Sequence, residues 1–190
     1  MRFDLNQLEW IYPPTQSFLS DEKIVITTDP ETDCWQRTHY GFQKDNAHAL
    51  VFHTEEDFCF TFKAEFVYGG QYDQCGLMVY QDSDNWFKAS LEYINPSLQQ
   101  LGSVVTSRGY SDWAMQDFDS EVQSLYYRLS RSGSDFCIEY SPDGIAFFQM
   151  RVFHFEKGAG LLGCGLYACS PSQHSFDAVF SEFSITENKW

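Results

Sequence analysis

Residues 57–67 alternate without a break, Phe58, Phe60, Phe62, Ala64 and Phe66 interleaving with Cys59, Thr61, Lys63 and Glu65. A period of two puts the rings on one face of an extended strand and the more polar set on the other, so the segment reads as a half-buried β-strand. A helix would spread the same phenylalanines around its circumference. A strand that hides a row of rings needs neighbours in a sheet, and the sheet needs a second layer to hide them against.

The rest of the chain keeps that cadence. Further strands are predicted at 23–27, 76–81, 85–94, 103–107, 124–131, 135–140, 145–155, 162–170 and 176–186, about ten to twelve in all when short segments are allowed for. Turn chemistry marks the breaks: Tyr68-Gly69-Gly70 closes one strand, Asp82-Ser83-Asp84-Asn85 separates two, and Ser141-Pro142-Asp143-Gly144 joins two as a hairpin. Proline presets φ near the start of a turn and glycine accepts positive φ near its end. Residues 10–15, with Pro13-Pro14, form an extended lead-in. No window shows a sustained 3.6-residue apolar period, so helix is minor, and without helical crossovers the strands must pair antiparallel. The expectation is one domain over 1–190, an all-β, two-sheet antiparallel sandwich.

Aromatic residues make up 18% of the chain, and 27 acidic against 12 basic residues leave a net charge of −15. That balance repels nucleic acid and anionic membrane surfaces, and nothing approaches the roughly 18 apolar residues of a membrane span. The segment 1–10 carries Asp4 and lacks the apolar run of a secretory leader, which points to the cytoplasm. Six cysteines, Cys34, Cys59, Cys75, Cys137, Cys164 and Cys169, show no C-x-x-C spacing. They read as buried reduced thiols, and neither a metal nor a cofactor is expected.

The functional signal lies in 85–94. Alternation assigns Phe87, Ala89, Leu91 and Tyr93 to the core and Trp86, Lys88, Ser90 and Glu92 to the opposite face. At the rise of a strand, Lys88 and Glu92 stand roughly 13 Å apart, too far for a direct ion pair. Each must find partners on neighbouring strands or in a ligand. A flat indole among spaced polar groups suits a sugar, whose apolar face packs on rings while its hydroxyls need fixed donors and acceptors. Two hairpin-adjacent segments are candidates for the same surface, Gln71-Tyr72-Asp73-Gln74 before one strand and Tyr110-Ser111-Asp112-Trp113 after another, with Trp35-Gln36-Arg37-Thr38-His39-Tyr40 a third; within them Tyr72, Asp73, Asp112, Trp113 and Trp35 are the binding candidates. His39 and Arg151 are ambiguous, a His or Arg beside aromatics being more often structural than catalytic. Glycosidases need two carboxyl groups about 5 to 10 Å apart, yet no E-x-D-x-E run exists and Glu92 has Ser90 and Ile94 at its in-strand flanks. No G-x-S-x-G elbow, H-E-x-x-H or phosphate-binding loop is present either.

Trp35, His39-Tyr40-Gly41-Phe42, residues 71–78, Asn85-Trp86-Phe87-Lys88 with Glu92, residues 103–106, Tyr110-Ser111-Asp112-Trp113 and Tyr140-Ser141-Pro142-Asp143-Gly144 occur in order. Together they resemble the regulation-of-enolase-like family of unknown function, within the concanavalin A-like lectin/glucanase superfamily, over about 10–185. The resemblance implies a jelly roll with a concave face on which the wider superfamily binds carbohydrate. It implies no reaction. A carbohydrate ligand bound by Trp86, Lys88, Glu92, Asp73, Trp113, Tyr72, Asp112 and Trp35 is the leading expectation. The alternatives are a glycan-active hydrolase or lyase using Glu92 with a second acid, and a protein partner in sugar metabolism.

Overall fold

The structure is a computed structural model and describes residues 3–188 and 190. Among the described residues there are sixteen strands, a single 3₁₀ turn at Leu5–Gln7 and no α-helix. The first sheet runs, edge to edge, β1 (Leu8–Ile11), β6 (His48–Thr54), β15 (Leu162–Cys169), β8 (Gln74–Asp82), β9 (Asn85–Asn95), β10 (Leu98–Ser107) and β11 (Tyr110–Phe118). The second runs β14 (Phe148–His154), β13 (Asp135–Ser141), β12 (Ser124–Ser132), β7 (Phe58–Glu65), β16 (Asp177–Thr186), β3 (Lys23–Thr27) and β2 (Gln16–Leu19). All pairings within both sheets are antiparallel. A short ribbon of β4 (Cys34–Gln36) and β5 (Gln43–Asp45) completes the set.

The alternation in β7 does what its period requires. Phe58, Phe60, Phe62 and Ala64 are buried, while Cys59, Thr61, Lys63 and Glu65 are only partly covered. Leu77 and Val79 from β8, Phe87 and Leu91 from β9, and Leu162, Cys164 and Leu166 from β15 join them in one core from the first sheet. The rings interlock edge to face, as where Phe87 meets Phe136 at 4.9 Å and 63°. Each such ring contributes roughly 1.5–3 kcal/mol by leaving water. The two layers also share a polar tie: the Leu91 N–H of β9 donates to the Tyr127 hydroxyl of β12 at 2.8 Å.

The expected strands are found, and the 141–144 turn joins β13 to β14 as a hairpin, its Gly144 at φ 73°. Ser141 Oγ accepts from the Asp143 and Gly144 amides, and Asp143 Oδ1 from those of Ile145 and Ala146. The strand number exceeds the ten to twelve expected because six strands lie outside the predicted segments. One is β11, whose start at 110–113 read as a segment beside a hairpin and not as a strand. β1, β2, β4 and β5 have three or four residues each, too few to show a period. β6 shows none because both of its faces are covered: Leu50 and Phe52 enter the main core, whereas Ala49 and Val51 enter a second apolar cluster.

That second cluster corrects one expectation. Trp86 does face away from the main core, but it is fully buried, packed with Trp35, Met78, Val104, Tyr167 and Cys169 where the β4–β5 ribbon lies across the first sheet. Its Nε1 donates to Ser83 O at 3.2 Å, the same carbonyl that accepts Gln36 Nε2 of the ribbon at 2.9 Å. The Gln36 backbone N–H donates in turn to Ser111 Oγ of β11 at 2.9 Å. Trp86 thus anchors the ribbon instead of meeting solvent. Trp86→Ala is expected to cost about 3–5 kcal/mol of unfolding free energy, measured by urea denaturation.

Candidate functional site

Beside the ribbon, a cleft of about 310 Å³ opens on the outer face of the first sheet. Its floor is a patch of outward side chains fixed by strand register. Glu92 of β9 stands opposite Gln74 of β8 on one side and Gln100 of β10 on the other. Ser90 lies between Gly76 and Gly102, and Lys88 between Met78 and Val104. Trp113 of β11 pairs with Val104 and forms one wall. Trp35 of β4 forms another, its ring 6.5 Å from that of Trp113 and nearly perpendicular at 86°. Tyr40 and Phe42, from the turn joining β4 to β5, and Tyr72 complete an aromatic rim, each of the three close to half exposed.

Gln74 organises the floor. Lys88 Nζ can only donate, so the amide oxygen of Gln74 faces it, at 3.0 Å, and also accepts from Tyr167 Oη at 2.8 Å and Ser90 Oγ at 3.3 Å. The amide nitrogen then points the other way, donating to Glu92 Oε2 at 2.8 Å and to Tyr72 O at 3.1 Å. The second of these helps hold Tyr72 in a left-handed backbone, φ 72°, a costly conformation for a bulky residue. The Tyr72 N–H donates to Tyr93 O at 2.7 Å and fixes it further.

Lys88 is about 5% exposed, and Asp33 Oδ1 lies 3.7 Å from its ammonium, which also sits over the Tyr167 ring at 5.5 Å. Burial is the largest single influence and pushes Lys88 down, but the Asp33 carboxylate leads the opposing influences, and the balance holds it above its usual value. Burial pushes Glu92 up to about 7; Lys88 and the Gln74 hydrogen bond oppose that shift, and Asp33 adds to it. Burial also drives the Cys34 thiol up to about 12 and Cys169 well above its ordinary value. Both are protonated at neutral pH, and the six cysteines are unpaired.

Of the residues singled out in the sequence, Lys88, Glu92, Trp113, Tyr72 and Trp35 line this cleft. Lys88 and Glu92 do find separate partners, as their spacing required. Three others lie elsewhere. Trp86 is buried beneath the ribbon. Asp73 is fully buried and caps a turn, its Oδ2 accepting from Gly69 N at 3.1 Å and Gly70 N at 2.7 Å. Asp112 alternates with Trp113 and so faces away, paired with Arg151 at 3.1 Å. Gln74 and Tyr40 enter the cleft from the candidate segments 71–74 and 35–40, and Asp33 joins them without having been singled out. Gln74 was legible by period two from Met78 and Gly76, had β8 been extended to its true start. Asp33 carried no local signal, because the chain brings it from a loop to Lys88 only through the ribbon. Among the described residues no group of three or more His, Cys, Asp or Glu side chains could hold a metal, and no helix is long and apolar enough to cross a membrane.

Two antiparallel sheets packed face to face, with a cleft on the outer face of one, define a concanavalin A-like β-sandwich. Over residues 10–188 the chain matches the family described as "Protein of unknown function (DUF1349)", and it belongs to that family. It is 31% identical over 183 residues to "Regulation of enolase protein 1" of Saccharomyces cerevisiae, covering 96% of this chain and 91% of that protein. It superposes on the crystal structure of a functionally unknown protein from Saccharomyces cerevisiae with a TM-score of 0.91 at 29% identity, covering 99% and 100% of the two chains. A more distant likeness, with a TM-score of 0.73 at 15% identity, is to the GH43 protein BlXynB from Bacillus licheniformis, where it covers 94% of this chain and 36% of that longer one.

Glu92 gives the cleft a pH signature. A free glutamate ionises near 4.5, so between that value and about 7 the folded protein holds a proton that the unfolded chain has released. The contribution of Glu92 to stability therefore falls as pH rises through this window. Glu92→Gln is expected to gain stability relative to the parent from pH 4.5 to 7 and to run parallel to it above, measured by denaturation at stepped pH.

Proposed function

We propose that this chain is a carbohydrate-binding domain whose site is the cleft walled by the Trp35 and Trp113 indoles. The observation that carries the reading is the pairing of those two indoles, set nearly at right angles, with a floor of fixed polar groups: Gln74, Lys88, Ser90 and Glu92. Rings accept the C–H face of a pyranose, and a preordered amide, ammonium, hydroxyl and carboxyl offer donors and acceptors to its hydroxyls. Because Gln74 already locks Lys88 and Ser90 in place, a ligand finds these groups oriented and loses less in ordering them. A cleft of about 310 Å³ suits one or two sugar rings. The unpaired thiols fit a reducing compartment, in line with a cytoplasmic protein.

A glycan array followed by calorimetry tests this. Trp113→Ala, at an exposed indole, is expected to keep the fold and to weaken binding of the hit at least tenfold, since a stacked ring is a typical anchor of a binding surface. A hit that Trp113→Ala binds unchanged would place the ligand elsewhere.

Glu92 supports a second reading, a glycan-active enzyme. A carboxyl pushed up to about 7 can donate a proton at neutral pH, as a general acid must. Under this reading, turnover of an identified glycan falls by two or more orders of magnitude in Glu92→Gln while its binding persists. Unchanged turnover would remove Glu92 from any chemistry.

A further inference from the structure

The floor of the cleft holds two acidic side chains and one ammonium, and they are not shared evenly. Lys88 has Asp33 at 3.7 Å and the Gln74 oxygen at 3.0 Å. Glu92 has only the neutral Gln74 amide at 2.8 Å, and among the described residues no basic side chain forms an ion pair with it. Gln74 acts as a spacer, its oxygen turned to the cation and its nitrogen to the carboxylate. The cleft therefore contains one balanced pair and one surplus acid, in a chain of net charge −15. The same cleft is walled by Trp35, Tyr40, Phe42, Tyr72 and Trp113. Aromatic faces attract cations, most strongly where water is excluded. An anionic sugar would meet Asp33 and Glu92, and the one cation there is already engaged.

We propose that the cleft selects sugars bearing a protonated amine, the ammonium supplying Glu92 with the cationic partner that the protein does not. This rests on the carbohydrate reading above and names the ligand class within it. The sugar ring packs on the Trp35 and Trp113 indoles while its ammonium sits against the free oxygen of Glu92.

The proposal has a proton balance. The groups facing Glu92 are Lys88 on its own strand, Gln74 on β8, Gln100 on β10, Tyr167 and Cys169 on β15, and Asp33 at the ribbon. Lys88, Tyr167 and Cys169 are all shifted upward, away from the range of pH 5 to 7. A proton bound to Glu92 in the empty cleft leaves to bulk water when an ammonium takes its place. Affinity for the amine accordingly rises as pH increases from about 5 towards 7.

Isothermal titration calorimetry of the full chain at about pH 6, in two buffers of different ionisation enthalpy, tests this with glucosamine, N-acetylglucosamine, glucose, glucuronate and tetramethylammonium. Glucosamine is expected to bind at least ten times more tightly than the other three sugars and to release close to one proton. Glu92→Gln is expected to bind glucosamine and glucose within twofold of each other. The proton count on the parent protein stands by itself should that variant fold poorly. Equal binding of glucose, N-acetylglucosamine and glucosamine, without proton release, overturns the amine preference and leaves the carbohydrate reading intact. Tetramethylammonium binding without any sugar overturns the carbohydrate reading and keeps the cation site. Binding of none of the five overturns both.

Discussion

An ammonium group lies almost wholly buried on what would be the wet face of a β-sheet, and the outer half of the molecule is arranged around it. An unpaired charge in that position would cost several kcal/mol. Lys88 is tolerated because the chain carries Asp33 across the sheet and because Gln74 turns its oxygen inward. The first condition depends on the β4–β5 ribbon, which is itself held by the Ser83 carbonyl, the Ser111 hydroxyl and the apolar bed around Trp86. Charge pairing, ribbon docking and cleft formation are thus one structural event. The same ribbon that shields the lysine supplies Trp35, Tyr40 and Phe42 to the walls.

This double covering explains which parts of the fold were legible in the sequence. β7 has one covered face and spells out its period in phenylalanines. β9 was correctly divided into two faces, but the sequence does not say that a ribbon would bury the second one, so Trp86 read as exposed. Amphipathic alternation reports only that two faces differ. Trp86, Lys88 and Ser90 are buried for three different reasons: packing under the ribbon, pairing with Asp33 and hydrogen bonding to Gln74. β6 stayed hidden because Leu50, Val51 and Phe52 are apolar on both sides.

The candidate site was legible where it followed strand geometry and obscure where it depended on long-range placement. Lys88 and Glu92 share a strand face, and their separation alone required different partners. Asp73 and Asp112 looked equivalent as acids beside aromatics near hairpins. The turn at Gly69-Gly70 claims the first and Arg151 claims the second. Only the packed molecule separates an acid that closes a turn from one that faces a ligand.

The floor also has a feature that consists of missing atoms. A Cβ on Gly102 would lie 3.0 Å from the Trp113 Nε1 and 3.3 Å from the Met115 Cβ, so glycine gives the indole room to lean over the floor. One position of β10 thereby sets how closely the indole can approach the floor. In relatives, a residue larger than glycine at this place would tilt the tryptophan outward and leave a shallower groove. Members of the family could then share every polar group and still differ in the thickness of the molecule they admit.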